Sequence, residues 1–182
     1  MIAYKGFNKG LVCRGYKFKM GINTTEKAQA VECGFHCAED PLDCLSYYPN
    51  MNMSEYYIVD AGGDVDEDGT DTKISCTELN IIKKLSKEDF VLHALAYMVD
   101  HPKRKKNGHV KTDKAEANSN GFVIVIGEDP TARGKKNDIL AFVKQATSGE
   151  IVEVSMAIVD GKTIFPGIWY GADLSERQVA VQ

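Results

Sequence analysis

No stretch of the chain approaches the roughly 20 consecutive apolar residues that cross a bilayer, so no membrane-spanning helix is expected. The opening MIAYKGFNKG has no signal-peptide core, and a cytoplasmic location is expected. Basic charge is not in excess. The 22 Lys and Arg residues face 26 Asp and Glu, for a net charge of -4. That balance argues against a general nucleic-acid binder, whose footprint is basic, and direct DNA binding is not expected. It permits the opposite role, an acidic surface that docks on a nucleic-acid-binding protein. Cysteines are few and odd in number: Cys13, Cys33, Cys37, Cys44 and Cys76. A complete intrachain disulfide framework is therefore excluded, and buried thiols in a reducing compartment are expected. Three enzyme signatures are also missing. There is no GxSxG, no HExxH, and no GK[ST] after the Gly-flanked run at residues 127–134. No repeat of the length that marks helical or propeller arrays occurs.

What the chain does have is a dense stretch at residues 33–49, CGFHCAEDPLDCLSYYP. Gly34-Phe35-His36-Cys37 suits a short strand. Asp40 reads as an N-cap, with Pro41 at the first helical position and Asp43 in the first turn. Leu42, Leu45 and Tyr48 recur at helical spacing, and Pro49 stops the helix. The rest of the fold is organised around this strand, turn and helix.

Before it, residues 2–7 read as a strand, Asn8-Lys9-Gly10 as a turn, and residues 11–20 as a second strand with Tyr16 and Phe18 on one face. Gly21-Ile22-Asn23 reads as a turn, and residues 25–31 fit either a short strand or one helical turn. After it, residues 54–59 and 73–82 form a hairpin with an acidic, Gly-rich tip at residues 60–71. Ser86-Lys87-Glu88-Asp89 resembles a capping box at the head of a helix over residues 87–100, ended by Pro102. Residues 103–120 begin with four basic side chains and read as a linker. In the last third, residues 122–126 are an apolar strand, 128–136 a loop, and 139–144, 151–159 and 163–170 a three-stranded meander turning at Thr147-Ser148-Gly149 and Asp160-Gly161.

Several clusters carry potential chemistry. Cys33, His36, Cys37 and Cys44 are zinc-ligand types, yet they lack the paired spacing of ribbons and fingers, so buried thiols and a core histidine are the plainer reading. His36 beside Cys37 is no catalytic dyad, because strand neighbours point to opposite faces. Asp64, Asp66, Asp68 and Gly69 open like a calcium loop, but Ser75 stands where the bidentate Glu belongs. No metal, cofactor or catalytic residue is assigned on these grounds. The carboxylates Asp60, Asp64, Asp66, Glu67, Asp68 and Asp71 could instead contact a basic groove that normally holds phosphates. Glu39, Asp40 and Asp43 form a second acidic candidate. Lys103, Arg104, Lys105 and Lys106 are a weaker candidate for touching nucleic acid.

Two stretches carry a resemblance. AYKGFN, CRGYKF and ECGFHCAEDPLDCLSYYP, with VIVIGEDPTARG and IVEVSMAIVDGKTIFPGIWY, resemble an uncharacterised family of phage and prophage proteins with a YKGF, CRGF, CGFHACENPLD and YY signature. In the terminal motif Gly167 stands where that family has Asp, and residues 83–120 lack the repeats its members carry. Length and acidic charge are also similar to type II-A anti-CRISPR proteins. That resemblance implies a non-enzymatic inhibitor whose partner is a type II CRISPR effector nuclease with its guide RNA, impeding target DNA binding or cleavage. Tyr4-Lys5-Gly6, Gly34-Phe35-His36 and Tyr47-Tyr48 in turn resemble ADP-ribosyltransferase-like folds. There a strand–helix unit holds NAD and a Tyr stacks on nicotinamide, which implies that His36 and Tyr48 line a pocket. A phage accessory module without an active site, marked by homo-oligomerisation, is the third expectation.

The expected fold is α+β and mainly β. Residues 1–85 form a mixed α/β unit with the acidic hairpin, residues 86–120 a helix and basic linker, and residues 121–182 an antiparallel β-meander.

Overall fold

The computed structural model of the protein describes residues 1–26, 34–67 and 72–178. The chain is α+β and mainly β, as its sequence implies, and divides into two compact units, Met1–Phe90 and Val91–Gln182. No helix among the described residues is long and apolar enough to cross a membrane.

In the first unit, β1 (Ile2–Asn8) pairs antiparallel along its whole length with β6 (Ser54–Glu67). β6 pairs in turn with β7 (Lys73–Lys84), forming the expected hairpin. β7 also pairs with β5 (Phe35–Ala38), and β5 returns to β1 through Tyr4 and Ala38. These four pairings close a ring. Alternation along β1 points Ala3, Lys5 and Phe7 to one side, and Ala3 and Phe7 join the buried core with Phe35, Cys37, Val59, Ile74 and Cys76. The ring therefore has an apolar interior, and Lys5 is drawn into it.

Three expectations for this unit change. Residues 11–20 are not one strand. They form a tight hairpin, β2 (Val12–Cys13) and β3 (Tyr16–Lys17), turning at Arg14 and Gly15. Both turn residues have positive φ, 48° and 81°, the signature of the two-residue hairpin turns whose twist matches their strands. Tyr16 and Phe18 still share a face, with ring centroids 4.6 Å apart. Residues 21–24 are a strand and not a turn: β4 (Gly21–Thr24) pairs with β7, and buried Asn23 stitches it there by donating to the Leu79 carbonyl. The hairpin strand β6 continues through the acidic residues to Glu67, well beyond residue 59. The reading of residues 25–31 lies mostly outside the described residues.

The central stretch folds largely as its local signals dictate. Asp40 caps a 3-10 turn, Pro41–Asp43, by accepting from the Leu42 N–H at 2.9 Å, with Pro41 supplying the preset φ. Helix α1 (Cys44–Tyr47) follows at once and is one turn, shorter than the spacing implies. Farther on, Ser86 accepts from the Asp89 N–H at 3.0 Å at the head of α2 (Lys87–Asp100).

In the second unit, β9 (Phe122–Arg133) is central. β10 (Ile139–Gln145) pairs with its first half in parallel, and β11 (Ile151–Ile158) pairs antiparallel with β10. The β10–β11 pair is the antiparallel pair the meander expects, while the β9–β10 pairing is parallel. The second half of β9, expected as a loop, carries the chain back so that β10 can run alongside. Residues 163–170 do not return along β11. Instead β12 (Tyr170–Gly171) pairs with β9 at Ala132 and Thr131. The expected linker also contains β8 (Lys111–Glu116), parallel to β9. Its side chains are mostly exposed, so it carries almost no apolar signal. Val123, Val125, Leu140, Phe142 and Tyr170 form the buried core of this unit.

Candidate functional site

The first unit contains a cavity of about 860 Å³. Strand β1 contributes Tyr4, Lys5, Gly6 and Asn8 to it. The β2–β3 hairpin contributes Cys13, Arg14 and Tyr16. Strand β5 and the helical turn add Phe35, His36, Asp43 and Cys44, then Tyr47 and Tyr48, and Lys73 closes one side.

Each side chain is placed by a local cause. Burial alternates along β5, so half-buried His36 faces away from Phe35 and Cys37. Tyr48 ends the helical turn and lies against the backbone of β1. A Cβ on Gly6 would stand 2.5 Å from its Cδ2, so only glycine lets the ring approach this closely. The Tyr48 carbonyl accepts the Tyr56 hydroxyl, and the Tyr48 hydroxyl donates to Cys13 Sγ at 3.0 Å. Arg14 sits exposed at the hairpin tip. Tyr16 and Tyr47 are 48% and 52% exposed at the cavity; the Tyr16 ring packs on Phe18 and Phe35, and Lys73 Nζ lies 5.7 Å from the Tyr47 ring centroid.

Lys5 is the most unusual member, at 4% exposure. Its Nζ donates to the His36 carbonyl at 2.5 Å and reaches Cys13 Sγ at 3.9 Å. The Phe7 and Phe18 ring centroids lie 5.2 and 5.5 Å from it, close enough for cation–π attraction. The thiols around it respond chiefly to other forces. Burial pushes Cys44 up to about 12, although the Lys5 charge opposes it. Cys37 is held well above its ordinary value, first by its hydrogen bond with Cys76 and then by burial. Burial also raises Tyr48 and Tyr56, and the bond to Cys13 raises Tyr48 further, so its hydroxyl remains a donor.

The acidic residues singled out in the sequence divide. Asp64 and Asp66 are exposed on β6. Asp60 binds the N-terminal amine at 2.5 Å. Asp68 and Asp71 lie outside the described residues, as does the side chain of Glu67. Asp40 is buried as the cap, and Asp43 Oδ2 accepts the Thr72 hydroxyl at 2.6 Å, so both serve the local fold. Glu39 is half-buried, and Lys103, Arg104, Lys105 and Lys106 are all exposed. Of the four zinc-type residues, Cys33 lies outside the described residues. Among the described ones, no three Cys, His, Asp or Glu side chains come together as metal ligands.

The ADP-ribosyltransferase-like resemblance implies His36 and Tyr48 in a pocket, and both line this cavity; the sequence reading misses Cys13, Arg14, Tyr16 and the burial of Lys5. The Arg14-Gly15 pair, a glycine inside an apparent strand, is the signal that marks the hairpin.

Ring and cavity together define a β-rich domain with a side-chain-lined pocket along β1 and β5. The chain belongs to the family described as a domain of unknown function (DUF7666), which matches residues 1–93 and so takes in every residue of the cavity. No curated protein and no solved structure matches the chain.

Proposed function

We propose that the first unit binds a dinucleotide of the NAD class in this cavity and is an NAD-using, ADP-ribosyltransferase-like unit. One observation carries the reading: Tyr4-Lys5-Gly6, Gly34-Phe35-His36 and Tyr47-Tyr48, separate in sequence, line a single cavity. Its volume falls within the roughly 300–1,000 Å³ of small-molecule sites. The half-exposed rings of Tyr16 and Tyr47 present stacking surface to a nicotinamide or adenine ring. Tyr48, fixed between Gly6 and Cys13, is wall instead. Arg14 and Lys73 supply cations for a pyrophosphate. His36 offers a ring nitrogen to a sugar hydroxyl. Asp43 is the one carboxylate among the described residues that line the cavity.

Calorimetric titration of the full chain with NAD tests this. One saturable site is expected. Stacking is worth about 1–3 kcal/mol per base, so Tyr47→Ala weakens binding roughly tenfold while the melting curve holds. Where NAD is turned over, nicotinamide release is lost in His36→Ala. Absence of binding heat in the parent chain sinks the proposal.

A second reading, inhibition of a type II CRISPR effector by binding, is favoured by the exposure of Asp64 and Asp66 on β6. Such carboxylates could occupy a basic nucleic-acid channel. Asp64→Lys with Asp66→Lys is then expected to relieve inhibition in a target-cleavage assay. Cleavage that the parent chain never slows removes this reading.

A further inference from the structure

Of the described cysteines, Cys37, Cys44 and Cys76 are buried, whereas Cys13 is half-buried and lines the cavity. Two donors converge on its sulfur, the Tyr48 hydroxyl at 3.0 Å and the Lys5 ammonium at 3.9 Å. Lys5 is buried, and its remaining partners are the His36 carbonyl and the Phe7 and Phe18 rings. No carboxylate of the described residues lies within ion-pair distance of it. Lys5 thus faces the Cys13 sulfur with no carboxylate between them, and a cation beside a thiol favours the thiolate, the form that attacks. A sulfur that only accepts hydrogen bonds, beside a cation and open to an 860 Å³ space, is arranged as a nucleophile.

We propose that Cys13 is a covalent modification site inside the cavity, a nucleophilic sulfur set between Lys5 and Tyr48 that takes soft carbon electrophiles of the α,β-unsaturated carbonyl class. In the step, the Cys13 sulfur pair forms a C–S bond to the β carbon. The alkene π pair moves toward the carbonyl as an enolate. The enolate takes one proton from water, which balances the proton lost by the thiol. The product is a thioether, and no oxidant or reductant is needed. Lys5 and Tyr48 are positioning residues that hold the sulfur's charge before attack. The inference stands on the cavity and goes beyond the dinucleotide reading, so failure of NAD to bind leaves it intact.

Timed labelling of the native full chain with N-ethylmaleimide tests it, in a Cys33→Ser background because Cys33 lies outside the described residues. Intact mass and peptide mapping are expected to show one adduct per chain, on Cys13. Cys37, Cys44 and Cys76 should react only after urea is added. Hydrogen bonds to a charged group are the strong ones, so Lys5→Gln and Tyr48→Phe should each slow labelling roughly tenfold. Both should also move the rise in rate to higher pH, which a purely structural role would not do. Tyr48→Phe keeps the ring on Gly6 and removes only the hydroxyl, so it decides the matter where Lys5→Gln unfolds. Labelling of Cys13 no faster than of the buried cysteines overturns the proposal. So does a rate and pH profile that neither variant changes.

Discussion

Replacing Phe7 by alanine is expected to cost the first unit about 3–5 kcal/mol, the range for deleting a fully buried aromatic ring. Phe7 has no exposed surface and sits where the ring of strands is filled. Its ring meets Phe18 edge-on at 5.2 Å and Tyr57 at 5.5 Å, arrangements that add to the area it buries. It also provides one of the two faces beneath the Lys5 ammonium. Alanine would leave a void, strip both edge contacts and loosen the lysine at once. Phe7→Leu keeps most of the volume and should cost clearly less. Urea unfolding followed by circular dichroism measures both. A loss below about 1 kcal/mol for the alanine variant would contradict the placement of Phe7 at the centre of this core.

The second large effect is expected at Gly6, whose backbone φ any residue could adopt, so that the cost comes from space alone. An added Cβ would stand 2.5 Å from Tyr48 Cδ2, 2.9 Å from Cγ and 3.1 Å from Cβ. The ring must move, and its near atoms are the stiff base of the side chain and not a flexible tip. Displacement breaks the hydroxyl contact with Cys13 and disturbs the carbonyl that accepts from Tyr56. Gly6→Ala is expected to destabilise by about 1–3 kcal/mol, as overpacking does. Cys13 labelling should slow as well. Gly6→Ala combined with Tyr48→Ala removes the collision, so the double variant should lose less stability than the two single losses added together. Simple additivity would mean that the ring does not press on Gly6.

Both effects bear on what the sequence makes legible. The Asp40-Pro41 start of the helical turn is readable because an N-cap is local, and its cause lies within three residues. The β6–β7 hairpin is readable from alternation. Lys5 is not. Alternation puts it on the face of Ala3 and Phe7, but only closure of the ring through β5, more than thirty positions away, turns that face into an interior. Cys13 and Arg14 hide for a different reason, since a two-residue turn inside ten residues of alternating pattern looks like one strand. In the second unit, β8 is nearly all polar because it is exposed, and the parallel pairing of β9 with β10 is long-range. The site is therefore half legible: its helical side follows local rules, and its strand side depends on topology.

Titration of the full chain with NAD, ADP-ribose and nicotinamide tests most directly whether the cavity is a ligand site. Saturable NAD binding at one site is expected, with ADP-ribose retaining the contacts to Arg14 and Lys73, and with affinity reduced in Arg14→Glu. Heats indistinguishable from dilution for all three ligands, from a chain with an intact melting transition, would contradict it.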